Sequence, residues 1–436
     1  MKTAYLNGTI VTIDDHNTVI HHGVLVVEDG KIIHVGSVED FDQQSAEHTV
    51  DLKGKWVLPG LVNTHSHILM TILRGIGDDM QLKPWLETRI WPMEQQYTTE
   101  TAKWSTALGL VEMLKSGTTT FSDMFNPIGI DADEVARVIG EAGIRSIFSQ
   151  TLFSFGTEEE QKENVRKARE FAKTWRNEFD GRMTTMAAPH SPYTCSPDML
   201  QEAAKLAADY QIPVHIHLSE TAQEVQKNVD DYGKRPVAHL ESLGIFNQPT
   251  IIAHGVHLTQ EERETLAKYN VAVAHNPISN LKLGSGIADV TAMLTNGIMV
   301  GIATDSVASN NNFDMFQELR IAALLQKGAK EDSTKMPAET VLRLATKDGA
   351  QAIRLPEVGS LEVGKQADFI TIDPTNQPHL QPKEHVVSHL VYAASGSDVC
   401  DVYVKGKALV QNGECTTLDE ERILFEADRV YRNLKK

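Results

Sequence analysis

Short apolar runs alternate with helix-like segments through the middle of the chain. Each run is apolar at nearly every position and contains many β-branched residues, a pattern typical of strands that are buried on both faces. We count eight: WVLPGLVNTH, TTTFSDM, IRSIFSQTL, MTTMAAPHS, PVHIHLSE, TIIAHGVHL, VAVAHNPIS and MVGIATDS. Eight strands separated by helices predict an α/β fold with a parallel sheet, and the number favours a closed (β/α)8 barrel.

Both ends of the chain are richer in strand-like segments. The Asp29-Gly30 pair lies between the runs GVLVVE and KIIHVG, and Asn412-Gly413 lies in a similar setting near the other end. Such pairs between β-branched runs predict hairpins. We therefore expect residues 1–55 and 356–436 to form one small β-sandwich domain, and residues 56–355 to form the barrel.

Composition and charge narrow the classes of function. A length of 436 residues allows one large domain or two to three ordinary ones. The net charge is −18, with the acidic residues spread over helices, which argues against a nucleic-acid partner. The sequence lacks an apolar run of the roughly 20 residues that span a bilayer, as well as the residue order of a signal peptide, so we expect a cytoplasmic protein without membrane contact. The three cysteines lack C-x-x-C spacing and predict reduced thiols.

Side chains that bind metals or transfer protons stand where the predicted strands end: His65, His67, His217, His254 and Asp305. Because the active sites of barrels lie at the carboxyl ends of their strands, we expect these side chains to meet. Three imidazoles and one carboxylate would leave the open position of a catalytic metal site. A metal held there lowers the pKa of its water and makes hydroxide available. The pattern predicts a metal-dependent hydrolase.

The spacing of the histidines is weak evidence for a metal site by itself, because histidines at strand ends also make ordinary hydrogen bonds. On a strand, residues two apart point to the same face, so His65 and His67 can both be ligands. Of His215 and His217 we assign His217 to the metal because it lies nearer the loop, and we expect His215 to pack inside the barrel. The fourth run does not end in a lysine that could be carbamylated to bridge two metal ions, so the pattern favours a single ion. The ligands suit Zn²⁺, and also Fe²⁺, Mn²⁺ or Ni²⁺.

Several motifs resemble the amidohydrolase superfamily and, within it, the methylthioadenosine/S-adenosylhomocysteine deaminases. They are LPGLVNTHSH, LKPWLETRIWPMEQ, SGTTTFSDM, PHSPYTCS, HIHLSET, AHGVHL, HNPISNLKLGSGIA and TDSVASNNNFDMF. The resemblance implies that an adenine nucleoside thioether is deaminated at C6 to the inosine analogue and ammonia. Candidate substrates are 5′-methylthioadenosine, S-adenosylhomocysteine and adenosine. It also implies one divalent metal ion per subunit and favours a homo-oligomer.

The resemblance assigns roles to individual residues. His65, His67, His217 and Asp305 match the metal ligands, Glu220 the acid that protonates the ring nitrogen, His254 the histidine that holds the attacking hydroxide, and Glu94 and His190 the contacts to the nucleoside. Asp305 would take a proton from the metal-bound water before attack at C6. A carboxylate at Glu94 can accept two hydrogen bonds from the ribose diol.

Four further positions bear on the substrate. Trp85 and Trp91 are expected either to stack on the purine or to cover the mouth of the barrel. Gln150 ends the third strand, where the alignment with many relatives places an arginine suited to a substrate carboxylate, so the resemblance implies that uncharged nucleosides are comparatively favoured. Ser306 follows the ligand aspartate where glycine is common, and its hydroxyl would narrow the pocket or orient Asp305.

Other functions stay open from the residues alone. Hydrolysis of an s-triazine or deamination of a guanine-type ring uses the same hydroxide attack, but the triazine reaction needs no ribose-binding carboxylate such as Glu94. A metal-binding scaffold without catalysis would leave Glu220 and His254 without a role.

Overall fold

The computed structural model describes residues 1–434 and has a mixed sheet at the chain ends and an α/β middle. The strands are β1 (Lys2–Val11), β2 (Val19–Glu28), β3 (Lys31–Ser37), β4 (His48–Asp51), β5 (Trp56–Pro59), β6 (Leu61–Ser66), β7 (Thr118–Phe125), β8 (Arg145–Leu152), β9 (Met183–Thr184), β10 (Ala188–Pro189), β11 (Val214–Leu218), β12 (Thr250–His254), β13 (Ala272–His275), β14 (Val300–Ile302), β15 (Phe369–Ile372), β16 (Val399–Val404), β17 (Lys407–Gln411) and β18 (Glu414–Cys415).

Helices follow most strands of the middle region. They are α1 (Leu82–Trp85), α2 (Trp91–Glu94), α3 (Thr99–Lys115), α4 (Ala132–Ala142), α5 (Glu158–Trp175), α6 (Glu178–Gly181), α7 (Pro197–Tyr210), α8 (Ala222–Tyr232), α9 (Pro236–Ser242), α10 (Gln260–Lys268), α11 (Pro277–Lys282), α12 (Val290–Thr295), α13 (Met315–Lys330), α14 (Ala338–Leu344), α15 (Lys347–Ala352), α16 (Val386–Tyr392) and α17 (Glu420–Leu434). A π-helix at Leu86–Ile90 joins α1 to α2. Within residues 1–434, every helix is too short or too polar to cross a bilayer.

Strands from both ends of the chain share one sheet of nine strands. Its order is β18-β17-β16-β15-β5-β1-β2-β3, with β4 beside β1. The two predicted hairpins are present, because Asp29-Gly30 joins β2 to β3 and Asn412-Gly413 joins β17 to β18. The β-sandwich is not confirmed, since the structure gives one mixed sheet where a sandwich needs two facing ones.

The run WVLPGLVNTH, which we predicted as one strand, is two strands in different sheets. β5 pairs with β1 and β15 in the terminal sheet, whereas β6 pairs with β7. The break falls at Pro59 and Gly60, where the proline lacks a backbone N–H for a ladder. A side chain at Gly60 would place its Cβ 2.0 Å from Thr119 Oγ1, so the chain crosses closely over the start of β7.

The strands of the middle region are parallel, as predicted, but they form two sheets and not the single closed barrel that we expected. One has the order β10-β8-β7-β6 with β9 beside β8, and the other runs β11-β12-β13-β14. Isolated parallel bridges, Ser66 to Asp305 and Ala187 to Val214, connect the edges of the two sheets. The predicted parallel α/β architecture is confirmed. The fourth predicted strand is reduced to the two-residue pieces β9 and β10.

A buried ion pair ties the two parts of the molecule together. Arg145 begins β8, and its Nε donates to Asp368 Oδ2 over 2.8 Å. Asp368 directly precedes β15 and accepts a second bond from the backbone N–H of Lys405 at 2.8 Å. Both side chains of the pair are buried. The terminal sheet is therefore anchored to the parallel strands by charged groups that are shielded from water.

Candidate active site

The predicted ligands converge at the carboxyl ends of the parallel strands. His65 lies at the end of β6, His67 just after it, His217 in β11 and Asp305 after β14. Asp305 Oδ1 is 3.4 Å from the Nε2 atoms of both His65 and His67. His67 Nε2 is 3.3 Å from His217 Nε2. Two overlapping sets of donor atoms could hold a metal ion, one from His65, His67 and His217 and the other from His65, His254 and Asp305.

The hydrogen bonds of these histidines fit a cation. His67 donates its Nδ1–H to the carbonyl of Met124, and His217 donates its Nδ1–H to the carbonyl of His190, each over 2.7 Å. A neutral imidazole that donates through Nδ1 carries a lone pair on Nε2. Two such lone pairs therefore face each other, and the buried Nε2 of His65 has no hydrogen-bond partner within residues 1–434. Metal-ligating histidines are oriented in this way.

Asp305 is oriented by two serines. Its Oδ2 accepts hydrogen bonds from Ser279 Oγ at 2.6 Å and Ser309 Oγ at 3.0 Å, which leaves Oδ1 to the histidines. Burial alone would raise the pKa of Asp305, but contact with His65 and the other nearby histidines holds that pKa well below its usual range. Asp305 is therefore ionised.

Glu220 is a buried carboxyl group of the site. It is only 3% exposed, and burial, followed by the charge of Asp305, raises its pKa to about 8. The carboxyl group therefore holds a proton near neutral pH. His254 stands next to it, with Nε2 3.8 Å from Glu220 Oε2. His254 donates Nδ1–H to Asn280 Oδ1 over 2.8 Å, a contact that sequence reasoning did not foresee.

Glu224 holds the turn that presents Glu220, and the sequence did not reveal this role. The backbone N–H groups of Ser219 and Glu220 donate to its two carboxylate oxygens over 2.9 Å and 2.7 Å. Ser219 has a φ of +54°, a conformation that serine seldom adopts without support. The spacing Thr221-x-x-Glu224 was the available signal, because it is that of a helix capping box. Here only the Thr221 half of the box forms, and the glutamate turns back to the loop.

A cavity opens above the predicted ligands. Its wall includes four residues that we predicted to contact or cover the substrate, Glu94, His190, Trp85 and Trp91, and also Ser306. Trp85 is buried and donates its indole N–H to the carbonyl of Ile76. It therefore fixes the segment over the mouth and also presents its ring to the cavity.

The surroundings of Glu94 and His190 favour the uncharged forms of both side chains. Asn126 Nδ2 donates to Glu94 Oε2 over 3.1 Å, and burial raises the pKa of Glu94 to about 7 although part of the residue is exposed. Burial lowers the pKa of His190 to about 3, so that its ring stays neutral. Thr194 Oγ1 is 3.0 Å from His190 Nδ1.

Gln150 and His215 make their contacts away from the cavity wall. Gln150 is not part of the cavity wall, although its neighbour Thr151 is. The Gln150 amide donates to Oδ1 of Asn164 over 2.8 Å and is thereby directed to α5. His215 is buried as expected, and its Nε2 lies 3.1 Å from Nδ1 of the ligand His65.

Imidazoles and a carboxylate at the ends of parallel strands, below a cavity that holds a buried acid, define a metal-dependent hydrolase. A model of the amidohydrolase family matches residues 56–409. The chain belongs to this family, which confirms the resemblance seen in its motifs.

The proteins to which this chain is similar include two deaminases and a chlorohydrolase. Over 436 residues the chain is 60% identical to the 5-methylthioadenosine/S-adenosylhomocysteine deaminase of Bacillus cereus (strain AH820), with 100% of both chains covered. An adenosine deaminase from Xanthomonas campestris, solved with bound zinc, aligns with a TM-score of 0.94 and 36% identity over 99% of this chain and 98% of that one. Atrazine chlorohydrolase from Arthrobacter aurescens TC1, complexed with zinc, aligns with a TM-score of 0.89 and 24% identity over 98% and 100%. This last likeness is one of fold alone.

Proposed function

We propose that the chain hydrolytically deaminates an adenine nucleoside thioether, 5′-methylthioadenosine and/or S-adenosylhomocysteine, to the inosine analogue and ammonia, with adenosine as a further candidate. The observation that carries this proposal is Glu220, a buried carboxylic acid whose pKa is raised to about 8, directly beside the cluster of histidine nitrogens. An acid in this position suits the protonation of a ring nitrogen. The names of the similar deaminases support the substrate class.

His65, His67, His217 and Asp305 are the residues that would hold one divalent metal ion. Such an ion supplies Lewis-acid chemistry that makes a water nucleophilic near neutral pH. We propose Zn²⁺, because zinc is bound in similar structures and suits imidazole and carboxylate ligands. Fe²⁺, Mn²⁺ and Ni²⁺ fit the same donor types.

The chain's own carboxyl groups divide the proton transfers. Asp305, ionised and fixed through Oδ2, accepts through Oδ1 the proton that the attacking water loses. Glu220 donates its proton to N1 of the purine as the C6–oxygen bond forms. The amino group then leaves C6 as ammonia with the proton held on Asp305, while the C6 hydroxyl gives its proton to the Glu220 carboxylate and becomes the C6 carbonyl. Two carboxyl groups with pKa values pushed in opposite directions are the arrangement that such acid and base roles require.

The remaining residues bind and orient. His254, fixed by Asn280, would hold the attacking oxygen through Nε2 and stabilise its developing charge. Glu94 would accept hydrogen bonds from the ribose hydroxyls, and Asn126 would keep its carboxylate in place. Neutral His190 would contact the nucleoside without adding a charge.

We also propose that the two parallel sheets form one (β/α)8 barrel, which the bridges at Ser66–Asp305 and Ala187–Val214 support. Residues 1–55 and 356–436 would form the second domain, with β5 added from the barrel side of that boundary. The net charge of −18 supports a small-molecule rather than a nucleic-acid partner. Native mass measurement would test the expected homo-oligomer.

Ammonia release tests the function directly. The zinc-loaded protein would be incubated with methylthioadenosine, S-adenosylhomocysteine, adenosine and guanine, and its metal content measured in the same sample. We expect release from at least one adenine nucleoside, and loss of release in Glu220→Gln, which keeps the shape of the side chain but has no proton to donate to N1. A metal-loaded protein that releases ammonia from none of the four would refute the proposal.

A further inference from the structure

A row of aromatic rings leads from the predicted ligand His217 to the protein surface. His190 lies 4.5 Å from the His217 ring, and Phe153 stacks on His190 with centroids 4.9 Å apart. Phe155 stacks on Phe153 at 5.3 Å, and Trp91 meets the ring of Phe155 at 5.6 Å. Phe153 is buried, whereas Phe155 is 48% exposed. We name His190, Phe153, Phe155 and Trp91 the aromatic row.

The outer half of this row lies where the 5′ group of a nucleoside would be. In the proposed reaction the purine sits at Glu220 and the ribose at Glu94, so the 5′ group points on towards the mouth. Trp91 and Glu94 are three residues apart on α2, a spacing that places them on the same face of a helix. A group that extends beyond the ribose would therefore meet the ring of Trp91, which lines the cavity and contacts Phe155.

The cavity wall contains acidic residues and histidines. Glu94, Glu220 and Asp305 line it, and among the residues that the structure describes no lysine or arginine does. Gln150 cannot replace a cation there, because its amide is engaged by Asn164. A substrate carboxylate would thus lose water without gaining a charged partner. A thioether would instead bury apolar surface against the rings, and sulfur next to an aromatic ring is favourable.

We propose that the aromatic row selects nucleosides whose 5′ group is a small uncharged thioether over those whose 5′ group ends in an amino-acid carboxylate. This inference rests on the proposed deaminase function. It predicts that kcat/KM for methylthioadenosine exceeds that for S-adenosylhomocysteine by at least about tenfold, the ratio that about 1.4 kcal/mol produces.

Initial rates of ammonia release by the zinc-loaded enzyme with the two thioethers give this ratio. Phe155→Arg adds a cation at the exposed end of the row and is expected to lower the ratio at least about tenfold by improving use of S-adenosylhomocysteine. Phe155→Leu is the matched control, because it keeps an apolar side chain without the charge and should retain the preference for methylthioadenosine. Both changes are at a half-exposed position, where folding is expected to tolerate them.

A wild-type ratio of one or less would overturn the inference, and a ratio unchanged in Phe155→Arg would overturn its assignment to the row. Equilibrium binding of both thioethers, measured in parallel, separates this proposal from the deaminase function. Selective binding without ammonia release would refute only the function. Ammonia release from both thioethers at equal efficiency would refute only the selectivity.

Discussion

Glu94 gives the sharpest test of the nucleoside assignment. We expect Glu94→Gln to lower kcat/KM for methylthioadenosine, because a neutral amide binds the ribose hydroxyls less strongly than a carboxylate. Hydrogen bonds to charged groups contribute about 1 kcal/mol more than neutral ones, so two such bonds amount to about 2 kcal/mol. The expected loss is about thirtyfold. The glutamine can still accept the hydrogen bond from Asn126 through its own oxygen.

The pH dependence adds a second readout. Burial raises the pKa of Glu94 to about 7, so nucleoside binding by the wild type should improve as the pH rises through that value and the carboxylate forms. Glu94→Gln should lack this change. The sign for stability is opposite: between pH 4.5 and 7 the unfolded chain loses the proton that the folded chain keeps, and the free energy of unfolding falls as pH rises. The variant should therefore be no less stable than the wild type at pH 8.

Initial rates between pH 6 and 9 would be compared for the wild type, Glu94→Gln and Glu87→Gln. Glu87 lies on the neighbouring π-helix and is half-exposed, and it does not line the cavity, which makes it a matched control. Free adenine, which has no ribose, should be processed equally by all three proteins. A kcat/KM for methylthioadenosine within about twofold of wild type in Glu94→Gln would contradict ribose binding by Glu94.

Three other predictions address the metal, the ion pair and the turn. Chelation should abolish ammonia release and lower the melting temperature, both restored by Zn²⁺, because a ligand at a thousand times its Kd stabilises a fold by about 4 kcal/mol. Asp368→Asn should lower the free energy of unfolding by about 3–5 kcal/mol, because it leaves Arg145 buried without its partner. For a chain of 436 residues this corresponds to a fall of about 3–5 °C in the melting temperature, measured by calorimetry. An unchanged melting temperature would contradict this. Glu224→Gln should reduce kcat about tenfold, with KM and metal content retained. The reason is that the amide can accept only one of the two hydrogen bonds that the backbone N–H groups of Ser219 and Glu220 donate. Equal changes in kcat and metal content would instead indicate a structural defect.

The ligand cluster could be predicted because strand direction is a simple constraint. In parallel strands all carboxyl ends lie at one edge, so His217 at the end of one run and Asp305 at the end of another had to come near His65. The hairpin at Asp29-Gly30 could be predicted for a similarly local reason, the turn geometry that the dipeptide favours.

Features that depend on distant contacts could not be read in this way. The break at Gly60 follows from the close approach of Thr119, nearly 60 residues away in sequence. The orientation of Gln150 follows from Asn164 on α5, a partner that strand periodicity does not reveal. Apolar runs likewise predict that strands are buried, but not whether they form one sheet or two facing sheets, because that depends on which strands pair.

Glu220 and Asp305 have similar side chains, and their surroundings assign them opposite roles. Asp305 accepts two serine hydroxyls and faces histidines, so its ionised form is favoured despite burial. Glu220 is buried beside the negative charge of Asp305, and the burial and this charge both raise its pKa, whereas Glu224 binds the Glu220 backbone N–H. Among the described residues the cavity wall contains no lysine or arginine, so that no such side chain pairs with a substrate carboxylate there or lowers the pKa of Glu220.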